Sequence, residues 1–207
     1  RVTLELGGKS ACVVFADADL EKAGRLAPFS VFENAGQDCY ARSRLIVEER
    51  VRDEVLEKVV AAGRRMPPGD PLDPATKLGA IVDDVQLKTV LGYIDSGRSE
   101  GAQLLAGGRQ VRQETGGCYV EPTVFDGVRP EMTIAREEIF GPVLAAITVC
   151  DAEEAVRVGN LVIYGLAAAV WTRDVTRAHR IARELRAGVV YVNCYDADDI
   201  TTPFGGF

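Results

Sequence analysis

Apolar residues along the chain gather into short continuous runs, and between the runs they recur at helical spacing. Ala11-Cys12-Val13-Val14-Phe15 is the first run and predicts a strand. Asp17-Ala18-Asp19-Leu20 then reads as a helix N-terminus, with Leu20, Ala23, Leu26 and Ala27 along the helix until Pro28 interrupts it. Leu45-Ile46-Val47 predicts a second strand, and Val51, Val55, Val59 and Ala62 share one face of the helix after it. Pro67-Pro68-Gly69-Asp70-Pro71 is a stiff loop rather than a domain linker, because patterned structure soon resumes. Ile81-Val82 leads into a helix with Leu87, Val90, Leu91 and Ile94 on its apolar face. Strands follow around Leu104-Leu105, at Tyr119-Val120 and over the long run Val143 to Val149. A helix at Ala152 to Val158 precedes a strand at Ala167 to Trp171. A further helix, carrying Val175, Ala178, Ile181, Ala182 and Leu185, feeds the strand Val189 to Val192. Apolar strands alternating with helices define an α/β fold, a largely parallel sheet with helices on both faces. No internal repeat, low-complexity tract or internal linker interrupts the pattern.

Composition narrows the partners. The 207 residues are 47% apolar and 27% charged, as in ordinary globular proteins. A net charge of −7 without a basic cluster opposes nucleic acid and anionic membrane as partners. No apolar stretch reaches the ~18 residues of a membrane span, and the opening Arg1-Val2-Thr3-Leu4-Glu5 lacks a signal-peptide progression. The cysteines Cys12, Cys39, Cys118, Cys150 and Cys194 are scattered, form no C-x-x-C pair, and share the chain with a single histidine, His179. No metal site and no disulfide framework is therefore expected, and a reducing cytoplasm fits best. His179, among arginines in a helical stretch, reads as a partly exposed helix residue rather than a catalytic partner.

Three segments carry candidate chemistry. In Glu5-Leu6-Gly7-Gly8-Lys9, a carboxylate precedes two glycines that let backbone approach a ligand; the same residues also suit a plain Gly-Gly turn with an exposed acid. In Asn34-Ala35-Gly36-Gln37-Asp38-Cys39, the thiol is reached through Gly-Gln after an apolar helix. It could face a cleft or be an inert buried cysteine, and Asp38 beside it disfavours the thiolate unless it points away. In Glu137-Glu138-Ile139-Phe140-Gly141-Pro142-Val143, a carboxylate suited to a ribose diol stands two residues before an aromatic; a helix end and Gly-Pro turn would look the same. There is no glycine-rich turn of the G-x-G-x-x-G or G-x-x-x-x-G-K-S/T type to cradle a pyrophosphate.

In order, E-L-G-G-K, G-Q-x-C and E-E-I-F-G-P-V resemble the aldehyde dehydrogenase superfamily. Asp17-Ala18-Asp19-Leu20, Tyr164-Gly165-Leu166, Trp171-Thr172-Arg173-Asp174, Val192-Asn193 and Pro203-Phe204-Gly205-Gly206 extend the resemblance over nearly the whole chain. It implies that Cys39 attacks the aldehyde to form a thiohemiacetal, that hydride passes to NAD or NADP leaving a thioester, and that Glu5 activates the hydrolytic water. The oxyanion would be held by the Cys39 backbone N–H and by an Asn outside this sequence. Glu138 would grip the nicotinamide ribose, Phe140 would pack beside the nicotinamide, Gly7 and Gly8 would give it room, and Gln86 would be a secondary ribose contact. Asn193 and Phe204 match positions near the active site and the substrate tunnel, although a core role serves Phe204 equally well.

The resemblance further implies residues 1–9 as the hinge end of a cofactor-binding domain, 10–193 as the catalytic domain, and 194–207 as the start of the return to an arm that mediates homo-oligomers. Both termini look cut, the first inside a strand. A chain of this extent is expected not to dehydrogenate alone, to expose apolar surface, and to leave NAD against NADP open. Pro71 to Thr76, Ala168 to Asp174 and Asp198 to Thr201 look most like bacterial aminoaldehyde enzymes such as gamma-glutamyl-gamma-aminobutyraldehyde dehydrogenase. Asp196, Asp198 and Asp199 would suit a cationic aldehyde or form a solvated acidic loop. Asn160-Leu161-Val162-Ile163 departs from the family in being more apolar. Two other readings remain: a cofactor-independent thiol esterase using Cys39 and Glu5, and a non-catalytic truncated domain.

Overall fold

Leu4, residues 6–194, Ala197, Asp199 and residues 201–207 are described in the computed structural model of the chain. β1 (Ala11–Val14) is buried at every position, as a strand covered on both faces must be. Asp19 caps α1 (Leu20–Leu26) by accepting from the Lys22 N–H at 3.0 Å, and α2 (Phe29–Phe32) follows beyond Pro28. After β2 (Arg44–Glu48) and α3 (Arg52–Gly63), Asp83 caps α4 (Asp84–Ser99). The middle of the chain supplies β3 (Gln103–Ala106), the short β4 (Gln110–Val111) and β5 (Tyr119–Val120), β6 (Thr123–Asp126) and α5 (Thr133–Arg136). The long strand β7 (Val143–Val149) leads through α6 (Ala152–Gly159) to β8 (Ala167–Trp171), and α7 (Val175–Glu184) leads to β9 (Val189–Val192). His179 is exposed on α7.

Among the described residues seven strands form one sheet in the order β3-β6-β7-β2-β1-β8-β9, parallel except for β3, which runs antiparallel to β6. β4 and β5 make a separate two-stranded ribbon. The stretch from β7 through β2 and β1 to β8 and β9 has the strand order of a doubly wound nucleotide-binding sheet, with the reversal of winding between β1 and β8. Two sequence expectations change here. The described residues before Ala11 are not in a strand, and β6, whose run Thr123-Val124-Phe125-Asp126 is too short to stand out, is a fully buried member of the sheet.

At the carboxyl edge of the parallel strands, the turns after β1 and β8 are joined by a polar cluster. Both carboxylate oxygens of Asp17 accept from the Thr172 hydroxyl, at 2.9 and 2.8 Å. The same carboxylate takes the backbone N–H groups of Arg173 and Asp174 and the Arg177 guanidinium at 2.7 Å. Partial burial pushes the Asp17 acid up, but the Thr172 hydroxyl, Arg177 and the two backbone donors outweigh it and hold it below the usual carboxylate range. A depressed acid contributes stability that is present above its unfolded value of about 3.9 and lost as the pH falls through its folded value. Asp17→Asn is expected to lower unfolding stability by about 1–2 kcal/mol at neutral pH and by progressively less below pH ~4. Urea unfolding at several pH values checks this, and a difference that does not shrink in acid would contradict it.

Candidate active site

The loops that precede the parallel strands meet at the opposite, amino-terminal edge of the sheet, where backbone approaches backbone closely. A Cβ on Gly8 would collide with the Cys39 carbonyl oxygen, and one on Gly7 would collide with the Glu138 carboxylate. The Gly8 N–H donates to Glu138 Oε1 at 3.0 Å. The Gly7-Gly8 backbone thus lies between the cysteine loop and the acid, a spacing that only glycine allows.

Cys39 is half-buried, in a loop that leaves α2 through three successive residues with positive φ: Asn34 (50°), Ala35 (56°) and Gly36 (70°). This conformation is costly for Asn and Ala, so its neighbours must enforce it. Asn34 and Gln37 exchange hydrogen bonds, Asn34 Nδ2 donating to the Gln37 carbonyl at 2.9 Å and Gln37 Nε2 to the Asn34 carbonyl at 3.3 Å. Gln37 Oε1 accepts from the Val82 N–H at 2.9 Å, tying the loop to the segment ahead of α4. Gly36 packs so closely on the Gly141 carbonyl that a side chain there would clash. Asp38 Oδ1 accepts from the Tyr40 N–H at 3.1 Å, which draws its carboxylate toward the backbone of the residue beyond Cys39. Among the other thiols, burial pushes Cys12 up to about 11, and carboxylate partners (Asp84 for Cys118, Glu154 for Cys150) raise the remaining shifted ones, none of which suits a nucleophile.

Glu138 follows α5, and Phe140 stands two residues on with φ of 53° and its ring 38% exposed. Gln86, in the first turn of α4, donates from Nε2 to the carbonyls of both Ile139 and Phe140 at 2.9 Å. Gln86 thus braces the Phe140 loop through its amide nitrogen. Glu137 accepts from the Tyr93 hydroxyl at 2.9 Å; burial first, then Glu137, pushes that phenol up to about 12.

Phe204 meets the Tyr40 ring edge-to-face, 5.5 Å between centroids at 75°. Behind Tyr40 lies the buried Arg42 guanidinium, 5.0 Å from the Tyr40 ring centroid and 4.3 Å from that of Tyr191. Tyr40, Arg42 and Tyr191 did not stand out in the sequence. Asn193 lies at the other edge of the sheet. It follows β9 at the carboxyl edge, Oδ1 accepting from the Thr172 N–H at 3.0 Å and Nδ2 donating to the Thr172 carbonyl at 2.8 Å. These two bonds clamp the amide onto the Thr172 backbone. Glu5 lies outside the described residues.

An apolar cleft of about 430 Å³ opens beside Gly7, lined by Leu4, Leu6, Ile163, Tyr164, Leu166 and Phe207. Ile163, from the unusually apolar loop, is 90% exposed on its rim. A larger cavity of about 690 Å³ lies elsewhere, near Arg129, Arg157 and Leu161, and contains none of the candidate residues. Among the described residues no cluster of His, Cys, Asp and Glu could hold a metal ion, and no helix is long and apolar enough to cross a membrane.

The Cys39 loop and the Glu138 carboxylate thus meet on one glycine pair, with Phe140 two residues beyond the acid, and the comparisons agree on the family. The aldehyde dehydrogenase family model matches residues 1–207, and the chain belongs to that family. It is 47% identical over 207 residues to the mitochondrial aldehyde dehydrogenase of Mesocricetus auratus, covering all of this chain and 41% of that one. It is similar to an indole-3-acetaldehyde dehydrogenase solved in complex with NAD+, at 55% identity and a TM-score of 0.97 over 98% of this chain and 41% of that chain. The gamma-glutamyl-gamma-aminobutyraldehyde dehydrogenase of Burkholderia cenocepacia J2315 is 54% identical, with a TM-score of 0.96 over 98% of this chain and 41% of that chain. The chain thus spans about two-fifths of the length of these relatives.

Because the site depends on close backbone approach, Gly8→Ala should displace the Cys39 carbonyl. We expect about 1–3 kcal/mol of stability to be lost. Thermal unfolding measures this; an unchanged melting temperature would show that the loop yields without consequence.

Proposed function

We propose that this chain supplies the nucleophile and part of the cofactor grip of an NAD(P)-dependent enzyme that oxidises an aldehyde to a carboxylic acid. The observation that carries the reading is the Gly7-Gly8 backbone, which is flanked by the Cys39 carbonyl and the Glu138 carboxylate. The side chains present suit the ribose and nicotinamide end of such a cofactor. Glu138 spends Oε1 on Gly8 and keeps further acceptor capacity for hydroxyls, and Phe140 offers an exposed face. When bound, the cofactor accepts hydride from the adduct on Cys39.

The chain's own residues perform the rest. Cys39 Sγ, as the thiolate, adds to the aldehyde carbon, and the resulting thiohemiacetal oxyanion is received by the Cys39 backbone N–H. After hydride loss the acyl group remains as a thioester on Cys39. Glu5 takes a proton from water as the water attacks that thioester, releasing the acid and regenerating the thiolate. The route needs no histidine, in keeping with an exposed His179 far along the chain.

For the aldehyde's body two readings stand. The aminoaldehyde reading draws on the acidic loop, of which Asp196 and Asp198 lie outside the described residues and Asp199 accepts from the Thr201 N–H at 2.8 Å and hydroxyl at 2.6 Å. The Tyr40–Phe204 pair beside the thiol loop favours a flat apolar body instead. Free thiols throughout the described chain support a reducing compartment such as the cytoplasm.

Aldehyde-dependent NADH formation by the full-length protein is expected to fall at least about a thousandfold in Cys39→Ala. Activity that survives the substitution would overturn the mechanism. Ester hydrolysis without any NADH formation would instead favour the cofactor-independent esterase. Comparing kcat/KM for phenylacetaldehyde and 4-aminobutanal decides between the two bodies.

A further inference from the structure

Lys9 follows directly on Gly8, whose N–H holds Glu138. Its side chain is 1% exposed and its Nζ has no hydrogen-bond partner among the described residues. Ammonium groups in such places are nearly always paired, because burial strongly disfavours an unpaired charge. The charged and titratable groups around Lys9 come from several elements. Arg44, at the start of β2, is a like charge, while Glu138 and Glu137 are opposite charges from the loop ahead of β7. Tyr164 and Arg186 line with Lys9, Ser10 and Arg44 a void of about 10 Å³, no larger than one water. No ion pair within this set engages the amine, so its strongest favourable relation is through space to the acid that its own backbone neighbour binds.

We propose that Lys9 is a positioning residue: its amine supplies the buried counter-charge that fixes the Glu138 carboxylate for the cofactor ribose. Lys9 itself does not touch the ribose, and the proposal rests on the reading of Glu138 as a cofactor contact. Burial, then Arg44, lowers the Lys9 pKa to about 7, with Glu138 and Glu137 opposing the fall. The counter-charge is therefore present below neutrality and withdrawn above it, and the KM for NAD should rise as the pH passes upward through the Lys9 midpoint.

Two measurements on the full-length protein test this. The first is NMR titration of 13Cε-labelled lysines, with the Lys9 signal assigned by its loss in Lys9→Met. Its midpoint should lie near neutrality rather than near the usual value of about 10.4, and Glu138→Gln should move it further down. A Lys9 midpoint that Glu138→Gln leaves in place overturns the proposal. This titration needs no cofactor and stands even if Lys9→Met folds poorly, because Lys9 can then be assigned by Lys9→Arg.

The second measurement is a double-mutant cycle on the KM for NAD. Lys9→Met is expected to raise KM about tenfold, to change kcat far less and to flatten the KM–pH profile. In the Glu138→Gln background the same substitution should add nothing. An equal effect in both backgrounds would show that Lys9 acts by another route. If Glu138→Gln alone leaves KM unchanged while the NMR coupling holds, the cofactor reading of Glu138 fails and the charge coupling survives.

Discussion

The Arg44 guanidinium fixes the edge of the sheet on which the site is built. It is 2% exposed and donates to three carbonyl oxygens: Lys9 at 2.8 Å, Val158 at 3.0 Å and Gly159 at 2.8 Å. One side chain thus closes the C-terminus of α6 and ties the segment before β1 to the first residue of β2. Burial lowers its pKa only to about 10, so it stays charged and its bonds to neutral carbonyls stay strong. The Gly7-Gly8 segment and the Cys39 loop both lead into strands held by this residue. Their close approach can therefore persist although neither loop has regular secondary structure.

The two ends of the parallel strands play different parts. In doubly wound sheets ligands usually settle outside the carboxyl ends, where the winding reverses. Here Asp17, Thr172 and Arg177 are tied together at that edge, with Asn193 clamped on Thr172 beside them. The candidate chemistry gathers instead at the amino edge, where Gly8, Gly36 and Gly141 let strand-leading loops touch. An acid that reads as a helix cap in sequence and an asparagine that resembles a site residue are both part of the cluster.

The elements with strong periodicity were legible from residues alone: β8 and β9 have the bounds their apolar runs suggest, and α3 and α4 carry the faces read from their spacing. β6 and α5 were not: in β6 only Val124-Phe125 is apolar, between Thr123 and Asp126, and α5 is a single turn with no period to detect. The parallel sheet followed from alternation, whereas its order did not, since strand neighbours depend on side chains far apart in sequence. Within the site, residue types flagged Cys39, Glu138 and Phe140. What escaped was support: the Gln86 amide turned onto the Phe140 loop, Arg42 between two aromatic rings, and Lys9 buried with no hydrogen-bond partner among the described residues. Each depends on which way a side chain points, which linear order does not record.

The separation of the Asp17 cluster from the glycine-lined edge has a consequence for how the protein can change. Sites that far apart, with no shared partners, contribute almost independently to free energy. Variation around Thr172 and Arg177 can thus raise or lower the robustness of the fold while leaving reactivity at the thiol untouched. Variation in the strand-leading loops can retune substrate preference against a constant background. An engineer, or natural selection, has two nearly uncoupled dials on one sheet.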